Sequence, residues 1–338
     1  MSDQISLIYS NAALTFVIAI GRRLGLIDAL AWNAHGADSL AEIRGVGKRY
    51  VKEWLAAMVC GRLVEYDPTT GSYRLAPDHA AFLRSDTQQS MTALSLLITR
   101  YASVMDELCA AMRRNEGLPY SAYGHDFHGI LSAIWSPIYD QHLIEGFLGC
   151  SPSIISRLHD GADVLEFGCG EGRALALLAR QFPRSRFTGI DISDTAIASA
   201  NKSVSDAGNV TYIVGNATDP IPRCFDVVLA FDTIHDLPDP AGVLRNIAHA
   251  LSEEGFFVMV EFDFSSHLEE NIRNPYAILY YTFSLMHCIP VSFGQGGPGL
   301  GAVWGLEEAE KMLKVAGFSE VSYFKSPRPQ NCVFVCRR

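Results

Sequence analysis

The sequence predicts an α/β protein in which a domain built on a parallel sheet follows an all-α, winged-helix domain. At 338 residues the chain is long enough for two domains that each bury a core. Apolar residues recur at helical spacing up to about residue 150, and beyond it hydrophobic strands alternate with helices, which is typical of a parallel sheet. We therefore expect a winged-helix dimerisation domain over residues 1–90, a helical linker over 91–150 and the sheet domain over 151–338.

The composition is that of a folded protein and argues against several functional classes. A formal net charge of −10 disfavours a protein whose main task is to bind nucleic acid, because that task needs clustered Lys and Arg. The eight cysteines include no C-x-x-C pair, so neither a disulfide framework nor a structural zinc is indicated and a cytoplasmic location is expected. No uninterrupted apolar run approaches the roughly 20 residues of a membrane span, so we expect no membrane segment.

Three helical segments followed by two short alternating strands predict the winged helix. The strands flank the turn at residues 67–71 (DPTTG), a strong hairpin signal. The third helix carries three basic residues that a DNA-binding face would use: Lys48, Arg49 and Lys52. It also carries large apolar residues that need burial: Trp54, Leu55 and Met58. Because acidic and basic residues roughly cancel over residues 1–95, we favour a dimer-forming domain and keep DNA binding as the alternative.

Five hydrophobic runs in the C-terminal half suit strands that are covered on both faces of a sheet. They are Asp163–Phe167, Arg186–Ile190, Val210–Val214, Phe225–Ala230 and Phe256–Val260. The helices between them complete the pattern of a parallel sheet.

A glycine-rich turn follows the first of these strands and opens a helix. Gly168, Gly170 and Gly172 let the backbone turn tightly and approach a ligand without obstruction by Cβ atoms. Dinucleotide-binding folds use G-x-G-x-x-G, whereas here the glycines alternate and an acid, Glu166, precedes the first by two residues. The pattern favours S-adenosylmethionine (SAM), whose ammonium, sulfonium and ribose suit nearby acids.

Asp191 ends the second strand, about 20 residues beyond the turn, where a carboxylate can accept hydrogen bonds from both hydroxyls of a ribose. The alternative is that Asp191 caps the helix that follows. Ser193 and Asp194 can serve as that cap, so we assign Asp191 to the ribose.

Residues 163–262 resemble a class I SAM-dependent methyltransferase domain, with residues 164–172 (VLEFGCGEG) as its first motif. The resemblance implies a Rossmann-like sheet of seven strands with an antiparallel last strand, SAM as cofactor and S-adenosylhomocysteine as product. On matching positions, Glu166 and the glycines would hold the methionine end of SAM, Asp191 the ribose, and Asn216 with Ala217 the adenine. The predicted cofactor-binding residues are Glu166, Gly168, Cys169, Gly170, Asp191, Ile192, Asn216, Ala217 and Phe231.

In layout, the whole chain is similar to the homodimeric small-molecule O-methyltransferases. Their His-Asp pair after the fourth strand matches His235 and Asp236 within residues 233–240 (TIHDLPDP), although Leu237 stands where that group usually has Trp. In that group the His is the general base, and an unperturbed imidazole pKa of about 6.5 permits this role at neutral pH. Asp236 and Asp232 are possible orienting partners. The alternative is that the His235 ring only bonds the backbone.

Residues 286–305 (MHCIPVSFGQGGPGLGAVWG) form a second motif. They resemble the signature of a group of two-domain methyltransferase-like proteins whose acceptor is largely unassigned. The motif's glycines suit a loop that passes tightly against a ligand or hinges over one: Gly294, Gly296, Gly297, Gly299 and Gly301. His287 is a second polar candidate that would face the substrate.

A metal site is the alternative use of these polar residues. Five of them could act as ligands from neighbouring loops: His235, His267, His287, Cys288 and Asp263. Nothing in their spacing enforces such a site, so we expect no metal.

These features predict transfer of a methyl group from SAM to an oxygen, sulfur or nitrogen of a small molecule, with His235, Asp236 and His287 as the catalytic candidates. The partners expected are the small-molecule acceptor and a second copy of the chain, with neither membrane nor nucleic acid. Two other classes remain open: a SAM-responsive winged-helix transcription regulator and a catalytically idle SAM-binding protein.

Overall fold

The computed structural model describes residues 2–203, 208–221 and 223–338, and the chain divides into two compact units. The first unit comprises Met1–Ser103 together with Ala133–Pro137. The second comprises Val104–Ser132 together with Ile138–Arg338.

Among its described residues, the first unit is a winged helix with six complete helices and a three-stranded antiparallel sheet. The helices are α1 (Ser2–Arg23), α2 (Leu26–Trp32), α3 (Ala37–Arg44), α4 (Lys48–Cys60), α5 (Pro77–Leu83) and α6 (Thr92–Ala102). The strands are β1 (His35–Gly36), β2 (Val64–Asp67) and β3 (Ser72–Leu75), in the order β1-β3-β2. Asp67 closes the β2–β3 turn by accepting hydrogen bonds from the Thr69 N–H and the Thr70 hydroxyl, as the sequence predicts.

The core of the first unit accounts for the apolar residues of α4. Trp54, Leu55 and Met58 are buried there, and the Trp54 indole N–H donates to the Val17 carbonyl at 2.8 Å. These three side chains therefore leave no apolar excess for an interface with another chain.

The second unit has ten helices and seven strands among its described residues. The helices are α7 (Met105–Arg114), α8 (Phe127–His142), α9 (Pro152–Asp160), α10 (Arg173–Gln181), α11 (Asp194–Ser203), α12 (Pro240–Ala250), α13 (Leu268–Asn271), α14 (Ala277–Phe283), α15 (Ile289–Gly294) and α16 (Leu306–Ala316). Short 3₁₀ helices cover Tyr120–Tyr123 and Ile234–Asp236, and π-helical turns cover Leu143–Leu148 and Ser284–Cys288.

The strands of the second unit form one sheet in the order β6-β5-β4-β7-β8-β10-β9. They are β4 (Asp163–Phe167), β5 (Arg186–Asp191), β6 (Val210–Val214), β7 (Phe225–Phe231), β8 (Leu251–Phe262), β9 (Glu320–Lys325) and β10 (Asn331–Arg337). Strands β4 to β8 pair in parallel, and β10 is antiparallel to both β8 and β9. The Rossmann-like seven-stranded sheet with an antiparallel last strand is confirmed.

The strand order reverses at β4, because β5 and β6 lie on one side of it and β7 and β8 on the other. In open α/β sheets ligands bind beyond the carboxyl ends of the strands at such a switch point. Strand β8 continues two residues beyond its predicted end at Val260, which brings Glu261 into this edge of the sheet.

Two helical segments are long and apolar enough, by length and composition, to cross a membrane: Asp3–Arg23 and Ala277–Gly294. This differs from the expectation of no membrane segment. Each run is interrupted by polar residues, and 56% of the second is buried inside the structure, as a core helix would be. Length and hydropathy are therefore weak grounds for a membrane span here.

The glycine turn after β4 is held against β5. The backbone N–H groups of Gly168 and Cys169 both donate to the Ile190 carbonyl, at 2.8 and 3.2 Å. Gly170 and Gly172 have positive φ angles of 51° and 75°. A Cβ on Gly172 would come within 2.4 Å of the Tyr212 ring, whereas a Cβ on Gly170 would meet no described atom within 4 Å.

Alanine at Gly172 should therefore destabilise the fold more than alanine at Gly170. Both changes place a Cβ at positive φ, which costs about 1–2 kcal/mol. Gly172→Ala must also displace the Tyr212 ring, which adds about 1–3 kcal/mol of overpacking. Urea unfolding of both variants without SAM measures the difference, and equal losses of stability would mean that Tyr212 does not constrain the turn.

Candidate active site

Glu166, the last residue but one of β4, is a buried acid beside the glycine turn. The residue is 2% exposed, and its Oε2 has no hydrogen-bond partner within the described part of the chain. Burial, with a smaller contribution from Asp191, raises the pKa of Glu166 to about 8. A buried carboxyl oxygen without a donor fits an ammonium group, such as that of the methionine end of SAM.

Asp191 organises the turn and the start of α11 through its two carboxylate oxygens. Oδ2 accepts the Gly170 N–H and Oδ1 accepts the Ser193 N–H, both at 2.9 Å. The Ser193 hydroxyl in turn accepts the Ala196 N–H at 3.2 Å, so Ser193 caps the helix. Because each carboxylate oxygen has more than one lone pair, Asp191 can still accept from ribose hydroxyls.

The other predicted cofactor residues occupy different environments. Cys169 and Phe231 are buried, and the Phe231 ring lies edge-on to Tyr139 with centroids 5.4 Å apart. Ile192 is 63% exposed next to Asp191. Asn216 is exposed beyond β6, where its Oδ1 accepts the Thr218 N–H at 3.0 Å, and Ala217 packs against the sheet core. The structure thus brings Glu166, the glycines and Asp191 together and places Asn216 and Ala217 after β6, the edge strand beyond β5.

His235 lies on the 3₁₀ turn after β7 and hydrogen-bonds an acid of the neighbouring strand. Its ring is 1% exposed, and Nδ1 donates to Glu261 Oε2 at 2.7 Å. The Trp304 indole N–H donates to the same oxygen at 3.3 Å. His235 therefore bonds a buried carboxylate rather than only the backbone.

Two aspartates flank the other nitrogen of this ring. His235 Nε2 lies 3.3 Å from Asp236 Oδ1 and 3.7 Å from Asp232 Oδ1. Burial by itself lowers the pKa of His235, but the carboxylates of Glu261 and Asp236 outweigh it and raise the pKa well above its usual value. Asp232 has a φ of 51°, unusual for a residue with a Cβ, and burial raises the pKa of its carboxyl group well above the ordinary range.

Glu261 and Trp304 are the site residues that the sequence reasoning missed. Glu261 is a single acid within a run of apolar residues in β8, and charged residues are almost never fully buried unless they are paired. That signal could have found it. Trp304 belongs to the glycine-rich motif, but its contact with Glu261 depends on a fold that brings residues 43 positions apart together.

His287 and Cys288 lie on the π-helical turn Ser284–Cys288, a geometry that is frequent at functional sites. His287 is buried among aromatic rings: its centroid is 5.0 Å from Tyr123 and 4.9 Å from Phe127. Burial lowers the pKa of His287, so its ring is neutral at neutral pH. Cys288 faces His235 instead, and burial raises the pKa of its thiol to about 12.

The glycine-rich motif packs closely against the chain itself. A Cβ on Gly297 would come within 2.4 Å of Ser292 Oγ and 2.9 Å of the Leu237 carbonyl. The Ser292 hydroxyl donates to that carbonyl at 3.3 Å, so the motif supports the turn that carries His235. Gly294 does not lie in a loop as expected, because it is the last residue of helix α15.

The five ligands considered for a metal do not cluster as a set. Among the described residues, the groups with metal-ligand spacing are His235 with Asp236 and Cys288, and His235 with Asp232 and Glu261. His267 is exposed before α13, and neither it nor Asp263 belongs to these groups.

The family comparisons identify both units. Residues 158–317 match the family model of a methyltransferase domain, and residues 12–85 match the Rv2258c-like winged HTH domain. The chain carries a methyltransferase domain. The predicted methyltransferase domain and the preceding winged-helix domain are therefore confirmed.

Curated relatives resemble part of this methyltransferase domain. The fatty-acid O-methyltransferase of Mycolicibacterium smegmatis is 33% identical over 104 residues, which are 30% of this chain and 38% of that protein. The first curated relatives are matched over less than half of their own length.

Solved structures match the whole chain in fold. A protein of Nostoc punctiforme described as an O-methyltransferase has a TM-score of 0.78 at 20% identity and covers 100% of this chain and 99% of its own. Human N-acetylserotonin methyltransferase, solved in complex with SAM, has a TM-score of 0.75 at 18% identity, with coverage of 100% and 98%. At these identities the likeness establishes the fold.

Asp191→Ala should weaken binding of SAM and S-adenosylhomocysteine to the methyltransferase domain by about 1–3 kcal/mol. The variant loses the acceptor predicted for the ribose hydroxyls and the bond that holds Gly170. Isothermal titration calorimetry measures the change. Asp194→Ala is the matched control, because Asp194 is exposed at the start of α11 and should leave affinity unaltered. An Asp191→Ala variant with wild-type affinity would remove Asp191 from the cofactor site.

Proposed function

We propose that the chain is a SAM-dependent methyltransferase that moves the cofactor's methyl group to a small molecule, with His235 as the general base. The observation that carries the proposal is the buried hydrogen bond from His235 to Glu261, at the sheet edge that also bears the glycine turn. The acceptor atom is oxygen, sulfur or nitrogen. Relatives named as O-methyltransferases favour oxygen.

Glu261 supports the base by selecting the tautomer of His235. Because Nδ1–H donates to Glu261, the neutral ring carries its lone pair on Nε2. That nitrogen can take the proton of the acceptor as the acceptor attacks the methyl group in line. SAM, when bound, supplies the electrophilic methyl. The residues around the transferred methyl group align the acceptor and exclude water, which lowers the barrier to methyl transfer further.

The charges around His235 set the direction of the pH dependence. A general base works in its unprotonated form, and the pKa of His235 is raised by Glu261 and Asp236 against the effect of burial. His235 therefore holds its proton to a higher pH than a free imidazole, whose pKa is about 6.5. The methyl-transfer rate should fall as the pH drops through this raised value.

His235→Gln should leave SAM affinity nearly unchanged and lower the methyl-transfer rate about 10²- to 10⁴-fold for an acceptor that is protonated at neutral pH. An acceptor that is already ionised should lose much less. Steady-state rates across pH, with labelled SAM and a panel of small molecules, measure both effects. His249→Gln is the matched control, because His249 is exposed on α12 and its Nδ1 bonds the Arg245 carbonyl.

In the wild type, the methyl-transfer rate should rise with pH above about pH 6.5, which is the approximate pKa of free imidazole. This rising limb of the pH–rate profile should vanish in His235→Gln. Glu261→Gln should move the limb to lower pH, because removing the carboxylate lowers the pKa of His235. A full rate in His235→Gln with a protonated acceptor would make His235 structural, and His287 would become the next candidate.

A SAM-responsive regulator is the second candidate, since residues 12–85 match a winged HTH family. The charges on α4 argue against it. Lys48 and Lys52 both pair with Asp38, and Arg49 pairs with Glu53, so acids offset the basic residues of this helix. Retention of DNA at physiological salt would favour the regulator.

We also propose a homodimer formed by residues 1–90, with residues 91–150 roofing the substrate pocket and 151–338 binding SAM. Helix α1 supports the dimer, because it exposes large apolar side chains: Ile5, Leu7, Ile8, Tyr9, Phe16 and Ile20. Another copy of the chain would cover them. A cytoplasmic location is proposed because the cysteines are free in the described chain, as a reducing compartment requires.

Light scattering should give the mass of a dimer for the wild-type chain. Ile8→Glu combined with Phe16→Glu should shift it towards monomer, because the charges would be buried unpaired in the interface. Tyr50→Glu is the control, since Tyr50 is 78% exposed on α4. A wild-type monomer at every accessible concentration would defeat the dimer proposal.

A further inference from the structure

Three buried carboxylate oxygens near His235 have no hydrogen-bond donor among the residues that the structure describes. They are Asp232 Oδ1, Asp236 Oδ1 and Glu261 Oε1. Glu261 is 1% exposed, so bulk water does not solvate it. Burying an ionised carboxylate without a partner is strongly unfavourable, and such oxygens therefore call for protons or for a cation.

Potential ligand atoms converge on Nε2 of His235. Asp236 Oδ1 lies 3.3 Å and Asp232 Oδ1 3.7 Å from this nitrogen. His235, Asp236 and Cys288 each offer one ligand atom, all within 4.8 Å of one another. Two ligand atoms bound to one tetrahedral zinc ion are about 3.3–3.6 Å apart, given metal–ligand bonds of about 2.0–2.3 Å. The spacing around Nε2 is close to that value.

We propose that His235 Nε2, Asp236 and Cys288 bind a divalent transition metal ion of the zinc type. An imidazole, a thiolate and a carboxylate suit Zn²⁺, whereas Mg²⁺ and Ca²⁺ prefer oxygen ligands throughout. Asp232 Oδ1 lies 3.7 Å from the same nitrogen but belongs to a separate group with Glu261. Sequence reasoning expected no metal, because nothing in the spacing of the candidate ligands along the chain enforces a site.

The hydrogen bond on the opposite side of the imidazole supports this assignment. A histidine that binds metal through one nitrogen usually donates its other N–H to a carboxylate, which fixes the ring and raises its basicity. His235 Nδ1 makes that bond to Glu261 at 2.7 Å, and the Trp304 indole N–H holds the same carboxylate oxygen. The ligand nitrogen is thus preset for a cation on the side where the aspartates lie.

Metal binding would regulate the proposed base, and this consequence rests on the proposed function. A metal on Nε2 occupies the lone pair that would accept the proton of the acceptor, so an occupied site cannot act as the base. Zinc should therefore inhibit methyl transfer over the concentrations that fill the site, and a chelator should restore it.

Metal binding itself can be tested without SAM or acceptor, using Co²⁺ as a spectroscopic substitute for Zn²⁺. The full chain is freed of metal with a chelator, kept reduced and titrated with Co²⁺. The wild type should bind one equivalent, with the visible bands of tetrahedral cobalt and the near-ultraviolet thiolate-to-cobalt charge-transfer band. Zn²⁺ should displace the cobalt and abolish both.

Cys288→Ala should lose the charge-transfer band, whereas Cys336→Ala should keep it, because Cys336 is equally buried but lies outside the cluster. Glu261→Gln should weaken Co²⁺ binding about 10- to 100-fold. Circular dichroism checks that each variant is folded. If Cys288→Ala does not fold, Asp236→Asn replaces it as the test variant, because the side chain of Asp236 is partly exposed. Asp236→Asn should weaken binding as well.

An absent charge-transfer band in the wild type, a band that survives in Cys288→Ala, or equal Co²⁺ affinity in wild type and Asp236→Asn would overturn the metal site. The buried carboxyl groups around His235 would then be protonated instead of bound to a metal. If the metal-free wild type transfers no methyl group but still binds Co²⁺ as described, the proposed function is contradicted and the metal site is retained.

Discussion

The hydrogen bond between His235 and Glu261 is the interaction on which the organisation of the candidate site depends. It joins the turn after β7 to strand β8, and both partners are almost fully buried. A charged hydrogen bond of this kind is strong only when its geometry is held, and leaving either partner alone would be very unfavourable. Neighbouring segments of the methyltransferase domain keep the two partners together.

Two distant segments hold Glu261 in place. The Trp304 indole donates to its carboxylate, and the Asn331 amide donates to its carbonyl at 3.3 Å. Trp304 comes from the glycine-rich motif and Asn331 begins β10, the antiparallel strand next to β8. The glycine-rich motif and the antiparallel strand therefore have a shared role: they position an acid that orients the imidazole.

Carboxyl groups cluster along the carboxyl edge of the sheet. Glu166 and Asp191 lie near the ends of β4 and β5, and Asp232 and Asp236 lie beside His235 after β7. Burial raises the pKa of Glu166 and Asp232, and a cation that binds beside them would stabilise their ionised forms. This property suits a cofactor with an ammonium and a sulfonium group, and it is consistent with the proposed metal site.

The fold was largely predictable from the sequence, because strand runs, glycine spacing and the acid at the end of β5 are local patterns. The five predicted strands all exist, and the sheet has the predicted class and strand number. The candidate site was predictable in part: His235, Asp236 and Cys288 were recognised as polar groups, but Glu261 was not paired with His235. Burial of Trp54 within its own unit was also not predictable, since it depends on how α1 packs against α4.

The sequence by itself determined the alternating pattern of strands and helices and the glycine turn that a SAM site requires, because both depend on residues close together in the chain. Only the tertiary structure decided which acid faces His235. Strand order places β8 next to β7, and register aligns Phe231 with Val260, so Glu261 lies one residue beyond that pair, level with the turn. A one-residue shift would turn the Glu261 side chain to the other face of the sheet, and no local pattern determines that register.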